Sequence, residues 1–528
     1  MNKNKKQYIV VGSGVSGVSC ATALMKKKNV NVLMIDSGYE LEQKLKKKVN
    51  NLYNLDYKKW PKKIFNNIPS EYHKGIPLKK IFGSDYIYKI PKPYKFKHNS
   101  KIGLRPSFAK GGFSNIWGAA IMPFCQNDIL DWPLSFKKLE KYYKEVVKIF
   151  DISGKEDSLS KYFPLFKKNL FNLNFNEQGD VIYNFLKKNE KSLRKNGLFF
   201  GKSRLAFNKK GYAHKDGCVY CGMCLTGCPK EIIYSSNTTL ENLKKNKNFK
   251  YISGFTVTYV KENNFNVYVY ASNKNSKKTT CFTGKKVFLG AGVLQTTSII
   301  ANSLKLKKYE FEIKDNSLFY LPLLFKKSFL DVQDQKNNTL SQIFFEILDK
   351  KISSKFVHAQ LYLYNNLYKK ELHKYLYPLK FFIPKIIERF ISRLTILQVY
   401  LHSDYSSKLI FHYKSNRPYE FSIEEKKNEK TYQIIKNILS KIKKNRKYTG
   451  LYPVVLFNKI LRAGQSYHCG STLPMKKDRT KKLCTDLLGR PNNLKRIHCI
   501  DSSVLPSIPA TTITLSVMAN AYRIGFES

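Results

Sequence analysis

The first forty residues carry the pattern that most restricts how this chain can fold. A short apolar run, Gln7 to Val11, leads into the glycine turn Gly12-Ser13-Gly14-Val15-Ser16-Gly17. We expect a helix from Val18 to Met25 and a second strand from Val30 to Ile35, which is followed by Asp36. In such a unit the glycines allow a tight turn, the close approach of a pyrophosphate and close packing of the helix. The pattern predicts a dinucleotide with its phosphates at the helix N-terminus and a ribose hydroxyl bound by Asp36.

Two further glycine-rich turns occur later in the chain. The run from Lys110 to Gly118 contains adjacent glycines, which allow backbone conformations that other residues rarely adopt, although a plain loop would also fit. The run from Lys286 to Leu294 predicts a buried strand that ends in a Gly-Ala-Gly turn, with a helix from Gln295 to Ala301 after it. This second strand–glycine–helix unit is expected to complete a parallel sheet.

The remaining chain mixes helix and strand signals. Ser135 is a good N-cap for a helix whose apolar residues recur at helical spacing up to Phe150. Strands are expected at Phe255–Val260 and Phe265–Tyr270. Residues 306 to 455 have few glycines and many alternating apolar and aromatic residues, as expected of a separate, mixed β-rich domain. The predicted class is α/β, with a parallel-sheet domain and this second domain.

Composition limits the classes of function. The 528 residues, 42% of them hydrophobic, suffice for two or three domains. The formal net charge is +56, but the lysines are scattered and no nucleic-acid-binding motif accompanies them, so we predict no nucleic-acid partner. The charge still favours contact with acidic surfaces, including anionic lipid headgroups.

The sequence also suggests a location. The N-terminal apolar run continues straight into the glycine turn, unlike a signal peptide. No uncharged apolar run is long enough to cross a membrane. We therefore expect a cytoplasmic protein whose ten cysteines are thiols or metal ligands.

Four separated blocks of sequence resemble the glucose–methanol–choline (GMC) family of flavoprotein oxidoreductases. They are the GSGVSG unit with Asp36, GGFSNIWG from Gly111, KKVFLGAGVLQTTSII from Lys285, and the paired C-terminal stretches YHCGSTLPM from Tyr467 and IDSSVLPSIPATTITLSVMANAYRIG from Ile500. Their order and separation span the whole chain, which makes the resemblance specific. It implies an FAD cofactor and the oxidation of an alcohol or sugar-type substrate to a carbonyl.

The resemblance also implies a division of the chain into domains. Residues 1–305 and 456–528 would form the FAD-binding, Rossmann-like parallel-sheet domain, with a cysteine-rich insertion near 218–229 and the catalytic histidine in the C-terminal part. Residues 306–455, which match the family only loosely, would form the mixed β-rich substrate domain.

Cofactor contacts follow from the resemblance position by position. It implies that Gly12, Gly14 and Gly17 hold the FAD pyrophosphate, Asp36 the adenosine ribose, Val257 the adenine, Gly111, Gly112 and Ser114 the flavin, and Asp501 the ribityl chain or the pyrimidine end of the flavin.

His468 matches the histidine that faces the flavin at the substrate site of this family. Hydride transfer from a carbinol carbon requires the hydroxyl proton to leave, and a neutral imidazole is a suitable base. The family usually has a second His or Asn shortly before the final Ala-Tyr-Arg, and counting back from Ala521 leads to Thr512. A threonine can hydrogen-bond a substrate oxygen but cannot take a proton as histidine does. His498 lies in an apolar strand pattern, so we expect it to be structural.

The run from Cys218 to Pro229 has the C-x2-C-x2-C-x3-C-P spacing of bacterial ferredoxins. Some members of the GMC family carry a similar stretch, and in a few it implies an iron–sulfur centre near the flavin. The predicted ligands are Cys218, Cys221, Cys224 and Cys228.

In two-cluster ferredoxins the fourth cysteine serves the other cluster. In this chain either a distant group completes a four-iron cluster, Cys228 folds back, or a three-iron cluster forms. Structural zinc is less apt, because its ligand pairs are normally further apart, and a metal-free cysteine loop is the other interpretation.

These features predict an FAD-dependent dehydrogenase that passes electrons through an iron–sulfur centre to an unidentified acceptor. An oxidase that releases peroxide is the alternative enzyme. A catalytically inactive flavin-fold subunit with a binding or assembly role is a third hypothesis, because Thr512 stands where a catalytic residue is expected.

One segment suggests peripheral contact with an inner membrane. Pro384 suits the first turn of a helix, whose apolar face would be formed by Ile386, Ile387, Phe390, Ile391, Leu394 and Leu397. Residues 375–382, just upstream, are aromatic and basic. Such a helix either packs on the substrate domain or lies in the membrane interface among anionic headgroups.

Overall fold

The computed structural model describes residues 6–61, 79–97, 101–208, 217–274, 278–329, 337–365, 384–478 and 483–528, together with residues 276, 332 and 335. The strands are β1 Lys6–Val11, β2 Val30–Ile35, β3 Lys95–Phe96, β4 Asp151–Ser153, β5 Leu198–Lys202, β6 Leu205–Phe207, β7 Phe249–Ile252, β8 Phe255–Glu262, β9 Val267–Asn273, β10 Thr279–Gly284, β11 Lys286–Leu289, β12 Lys308–Asp315, β13 Leu318–Phe325, β14 Ile343–Ile347, β15 Val357–Leu363, β16 Leu394–Tyr400, β17 Lys408–Lys414, β18 Glu420–Lys426, β19 Leu451–Pro453, β20 Lys459–Ile460, β21 Cys469–Gly470 and β22 Ile497–Cys499. The α-helices are α1 Val15–Leu24, α2 Gln43–Asn54, α3 Phe136–Val146, α4 Glu177–Lys188, α5 Glu190–Lys195, α6 Ser236–Lys244, α7 Val293–Ser303, α8 Pro384–Ile391, α9 Lys430–Lys444, α10 Arg446–Thr449 and α11 Thr514–Glu527.

The N-terminal unit forms the centre of a five-stranded parallel sheet with the order β22-β11-β1-β2-β7. Its central strands are mainly apolar because both faces of the sheet are covered, and every residue of β2 is buried. The second predicted unit, β11 and α7, lies directly beside β1, with Val11 paired to Leu289. The two glycine turns that follow these strands therefore leave the sheet side by side. The expected α/β class and the parallel sheet are confirmed.

Two further sheets share the apolar core of the parallel sheet. An antiparallel sheet, β10-β9-β8, contributes Val257 and Val269 to that core. A five-stranded sheet, β21-β12-β17-β18-β3, contributes Phe311 and Phe411. Both expected strands between 255 and 270 are present, and Ser135 caps α3 by accepting a hydrogen bond from the Lys138 N–H at 3.3 Å.

A seven-stranded antiparallel sheet has the order β19-β13-β16-β15-β14-β5, with β20 also paired to β13. One face carries the apolar residues of alternate positions, such as Leu321, Leu361 and Val399, and packs against α4 and α9. The sheet includes β5 from outside 306–455, whereas β12, β17 and β18 from inside that range join the other core. The domain boundaries given above stay a prediction.

The helix that begins at Pro384 is shorter than expected. It ends at Ile391, and Leu394 and Leu397 lie on β16 instead, so the prediction of one helix through Leu397 is wrong. Ile391 is buried in the core of the seven-stranded sheet and Phe390 packs against it. The upstream aromatic segment lies outside the described residues. Among the described helices, none is both long and apolar enough to cross a membrane.

Candidate active site

A cavity of about 410 Å³ lies between the parallel sheet and the seven-stranded sheet. Gly12, Asp36 and Gly290, which follow β1, β2 and β11, line one side of it, at the edge where ligands bind in parallel sheets. Of the residues predicted to act on a cofactor or substrate, those that line this cavity are Gly12, Gly14, Asp36, Gly111, Gly112, Ser114, Val257, His468, Asp501 and Thr512. Residues far apart in sequence thus share one cavity, although their individual roles stay predictions.

The three glycines of the first turn differ in what their missing side chains allow. Gly12 has φ +92°, and a Cβ there would lie 2.6 Å from the carbonyl oxygen of Gly290. A Cβ on Gly17 would overlap the carbonyl oxygen of Gly12, so Gly17 serves the packing of α1 on β1 and does not line the cavity. A Cβ on Gly14 would meet no atom of the described residues within 4 Å and would project into free space. Gly14 is therefore the glycine whose absent side chain leaves room for a ligand.

Asp36 is bonded to the same turn. Its carboxyl accepts hydrogen bonds from the Ser13 hydroxyl, from the Ser13 N–H at 3.2 Å and from the Gly38 N–H at 3.2 Å. Burial raises the pKa of Asp36 to about 6, although these hydrogen bonds oppose the rise. The carboxyl lies at the cavity wall, where the sequence predicts a ribose contact.

The second glycine turn is attached to the first one. The Gly111 N–H donates to Ser13 Oγ at 2.9 Å. Gly111 has φ +78°, and a Cβ there would lie 2.7 Å from the Asn237 side-chain oxygen, so both conformation and space require glycine. A Cβ on Gly112 would meet only the Cα of Gly14, at 3.8 Å. The two turns thus border one open space.

Ser114 stabilises the second turn from inside. Its hydroxyl donates to the Gly111 carbonyl at 2.6 Å and accepts from the Ser236 N–H at 3.0 Å. Ser236 begins α6 and its hydroxyl in turn donates to the Ser13 carbonyl at 2.9 Å. Ser114 therefore connects both turns to α6, in addition to lining the cavity.

Asp501 caps α7 across the cavity. One oxygen of its carboxylate accepts from the Gly292 N–H at 3.0 Å and from the Thr296 hydroxyl at 2.5 Å, and the other accepts from the Ser503 N–H at 3.0 Å. Burial raises the pKa of Asp501, which these hydrogen bonds oppose. Val257, on β8, is buried at the wall nearer the first turn.

His468 lies at the wall nearest the seven-stranded sheet. Its ring stacks on Tyr400, with centroids 4.9 Å apart and an interplanar angle of 17°. The Nδ1 atom is buried and has no hydrogen-bond partner among the described residues. Burial, with a smaller contribution from nearby His358, lowers the pKa of His468 to about 3. The imidazole is therefore neutral near pH 7, as a proton acceptor has to be.

Thr512 lies at the same cavity and is buried. Its hydroxyl oxygen accepts a hydrogen bond from the Met122 N–H at 2.9 Å. Because the oxygen is used as an acceptor, the hydroxyl proton is left to donate. The geometry suits a donor to a substrate oxygen and gives Thr512 no role as a base.

The polar face of the seven-stranded sheet forms a wall that our sequence reasoning missed. Residues on β13, β15 and β16 alternate between the apolar core and the cavity. Those that line the cavity are Leu318, Tyr320, Gln360, Tyr362, Gln398 and Tyr400. The alternation of polar and apolar residues from Val357 to Leu363 is visible in the sequence and could have indicated this face.

A buried chain of hydrogen bonds runs behind this wall. Tyr362 donates its hydroxyl proton to Gln360 at 3.0 Å, the Gln360 amide lies 3.1 Å from His358 Nε2, and His358 Nδ1 lies 2.5 Å from Glu346. Burial lowers the pKa of His358 to about 3 and raises that of Glu346, a rise that the charge of Arg204 opposes. With its own proton donated to Gln360, the Tyr362 oxygen can accept a hydrogen bond from a molecule in the cavity.

The described residues give no support to a metal site at the four cysteines of the ferredoxin-like run. Among the residues that the structure describes, no group of three or more Cys, His, Asp or Glu side chains could hold a metal ion. Cys228 Sγ instead accepts from the Ile232 N–H at 3.3 Å, and burial raises the pKa values of Cys221, Cys224 and Cys228 to about 12. Part of each pKa rise comes from the other cysteines of the run, so the four side chains lie near one another, but the prediction of an iron–sulfur cluster receives no support from the described residues.

His498 lies away from the cavity, on β22. Its ring stacks on Phe288 with centroids 4.9 Å apart, and its Nδ1 atom lies 2.9 Å from the Leu488 carbonyl oxygen. This placement agrees with the structural role expected for it.

Comparison with known proteins identifies a shared fold but does not assign the chain to a family. No family model matches the sequence, and no curated protein matches it. Among solved structures, the crystal structure of pyridoxine 4-oxidase from Mesorbium loti matches over 99% of this chain and 99% of its own, with a TM-score of 0.60 and 11% sequence identity. At that identity the match shows a shared fold over the whole chain.

Proposed function

We propose that this chain is an FAD-dependent oxidoreductase that oxidises the CH–OH group of an alcohol or sugar-type substrate. The observation that carries the proposal is the single cavity that joins the first glycine turn to His468 and Thr512. The fold shared with an enzyme named as an oxidase of pyridoxine supports it, as does the sequence resemblance to the GMC family.

The residues around the first turn fit FAD. Gly14 and Gly112 leave the space that a pyrophosphate needs, at the N-terminus of α1, where its N–H groups favour an anion. Asp36 would exchange a Ser13 hydrogen bond for a ribose hydroxyl, and Val257 would border the adenine. Gly111 and Ser114 would hold the second turn against the flavin, and Asp501 would lie by its ribityl end. When bound, FAD would supply the hydride acceptor.

His468 would take the hydroxyl proton of the substrate on a ring nitrogen. A pKa of about 3 makes it a weak base in the ground state. However, a carbinol that loses hydride without its proton becomes a protonated carbonyl, which is a far stronger acid than imidazolium, so the transfer is favourable as the hydride leaves. The stacked Tyr400 ring fixes the orientation of the imidazole.

The wall opposite the cofactor turns would position the alcohol. Thr512 can donate to the substrate oxygen, and Tyr362 can accept from a substrate hydroxyl. Tyr320, Gln398 and Tyr400 add phenol and amide groups to the same wall. Such a surface fits an alcohol that carries further hydroxyl groups better than a simple alkyl alcohol.

The proposal has two forms, a dehydrogenase and an oxidase, which differ in their electron acceptor. A dehydrogenase that passes electrons to a carrier was the first hypothesis, but its iron–sulfur route has no support in the described residues. An oxidase is the second candidate, favoured by the name of the structural neighbour.

The decisive experiment is anaerobic reduction of the purified yellow protein by a panel of alcohols, polyols and sugars. Bleaching of the flavin by one of them supports the proposal, and reoxidation by oxygen with peroxide release would select the oxidase over the dehydrogenase. His468→Ala should abolish bleaching. His412 lies on the solvent side of β17 and is paired with Glu310 and Glu424, so the control variant His412→Ala should be bleached normally. Flavin that no alcohol reduces would favour the inactive binding subunit.

A further inference from the structure

A short segment at the edge of the seven-stranded sheet exposes large apolar side chains. We name residues 452–460 the edge loop; it comprises the end of β19, a single helical turn and β20. Leu456 at its tip is 88% exposed. The other exposed large apolar residues of the loop are Tyr452, Val455, Phe457 and Ile460. Soluble surfaces seldom gather such residues together, and contiguous apolar patches usually mark an interaction site.

The edge loop is held in place by strand β13. Tyr452 pairs with Leu324 at one end, and Lys459 pairs with Tyr320 at the other. Between them the Val454 N–H donates to the Pro322 carbonyl at 2.9 Å. The apolar side chains are therefore presented to solvent by a paired segment and not by a loose end.

Basic residues surround the loop. From residue 430 to residue 477 the sequence contains eleven Lys and Arg residues and no Asp or Glu. Lys443 and Lys444 end α9, and Arg446 and Lys447 lie on α10, which precedes β19; all four are exposed. Lys326, which donates its N–H to the Gly450 carbonyl, is exposed beside the first residues of β19.

We infer that the edge loop docks this protein on the surface of an anionic lipid bilayer. Apolar side chains at a protruding tip can enter the interface while flanking lysines contact the headgroups. A second copy of this chain is a poor occupant, because a symmetric contact through the loop would bring two acid-free basic segments together. Nucleic-acid phosphates would pair with the lysines but would leave Leu456 in water.

Docking through this loop would bring the cavity wall to the membrane. Leu461 and Arg462, the next two residues, line the cavity, and so does Tyr320, the partner of Lys459. This contact is separate from the one predicted for α8, of which Ile391 is buried in the core and Phe390 packs against it.

The test is co-sedimentation of the full-length protein with vesicles of phosphatidylcholine alone or with about a third phosphatidylglycerol. The wild type should pellet with the anionic vesicles only, and less at about 0.5 M salt than at about 0.1 M. Leu456→Glu with Phe457→Glu should weaken binding about tenfold or more. The matched control, Leu130→Glu with Phe265→Glu, makes the same charge change at two exposed apolar residues outside the loop and should bind as the wild type does.

Each other outcome would overturn the inference. A wild type that stays in the supernatant has no such affinity, and equal losses in both double variants would mean that net charge alone drives binding. If the loop variant alters only the oligomeric state on a sizing column, the occupant is a second copy. Thermal unfolding checks that the variants are folded. Lys443→Gln with Lys444→Gln, on the surface of α9, should also weaken binding and tests the same contact without touching the loop.

Discussion

The three glycines of the first turn give a sharp test of cofactor binding, because the structure assigns them different tasks. Gly14 has φ −63° and ψ 178°, an extended conformation that any residue adopts, and a Cβ there would meet no atom within 4 Å. A Cβ on Gly17 would overlap the Gly12 carbonyl oxygen. We therefore expect Gly14→Ala and Gly14→Val to affect the ligand, and Gly17→Ala to affect the fold.

The magnitudes follow from these contacts. Replacing Gly14 lowers the conformational entropy of the unfolded chain, which stabilises the native state by about 0.4–1 kcal/mol. Alanine or valine is a poorer N-cap than glycine, which destabilises the native state by a similar amount. The free energy of unfolding of the FAD-free protein should therefore change by less than about 1 kcal/mol. A side chain between a phosphate and the turn would remove at least one charge-assisted hydrogen bond, worth about 1.5–3 kcal/mol. FAD should then bind roughly 10- to 150-fold more weakly. Gly17→Ala should cost about 1–3 kcal/mol or more of unfolding free energy, because α1 must move away from β1.

The assay compares FAD-free proteins first and FAD binding second. Urea unfolding of the FAD-free wild type and variants gives the stability difference, since bound FAD would itself stabilise the native state. Titration of the same samples with FAD, followed by quenching of flavin fluorescence, gives the dissociation constants. If Gly14→Val binds FAD as tightly as the wild type, the pyrophosphate does not lie at this turn. If Gly14→Ala unfolds as easily as Gly17→Ala, the assignment of separate tasks is wrong.

The remaining predictions concern the catalytic residues and the cysteines. His468→Ala should slow flavin reduction by the true substrate about 100-fold or more in anaerobic stopped flow, with FAD retained, whereas His412→Ala should react normally; an unaffected His468 variant would place the base elsewhere. Burial lowers the pKa of His468 to about 3, so the imidazole is already deprotonated well above that pH. The rate of flavin reduction should therefore be constant from about pH 5 to about pH 8. A fall in rate towards acid pH with a midpoint near about 6.5, the ordinary pKa of histidine, would contradict this. Thr512→Val leaves the Met122 N–H without its acceptor and should lower the free energy of unfolding by about 1–3 kcal/mol, whereas Thr512→Ser should not; equal urea midpoints would refute the contact. Iron and sulfide analysis of anaerobically purified protein tests the cluster predicted at Cys218, Cys221, Cys224 and Cys228, and finding zinc alone or no metal would refute it.

Much of the fold could be predicted from the sequence because its signals are local. The strand, glycine turn and helix of the N-terminal unit are contiguous, and two of the three glycines allow close contacts nearby, Gly17 with Gly12 and Gly12 with the residue after the adjacent strand. The same holds for Lys286 to Leu289 and its helix. The helix boundaries differ from the predicted ones: α1 spans Val15–Leu24 instead of Val18 to Met25, since Gly14 already has the extended conformation of an N-cap, and α7 spans Val293–Ser303 instead of Gln295 to Ala301.

The helical spacing after Pro384 gave a wrong prediction for Leu394 and Leu397 because strand pairing in the tertiary structure overrides it. The apolar repeat continues through Leu394 and Leu397, but both residues pair with neighbouring strands, Leu394 with Leu324 of β13 and Leu397 with Leu361 of β15. A strand inserted between two others gains two rows of backbone hydrogen bonds and two buried faces, which outweighs local periodicity. The ferredoxin-like spacing is also a local pattern, and it stays a prediction without support among the described residues.

The sequence by itself determined the glycine turns, the acid after β2 and the identity of His468 and Thr512 as candidates, because motif and spacing are properties of neighbouring residues. Only the tertiary structure decided that strands 318–325, 357–363 and 394–400 turn one polar face toward those residues. A strand presents alternate side chains to opposite sides, so the sequence shows that two faces exist but not which of them meets the cavity. That choice depends on pairing between strands that are distant in sequence, such as Leu318 with Tyr400, which no local pattern encodes.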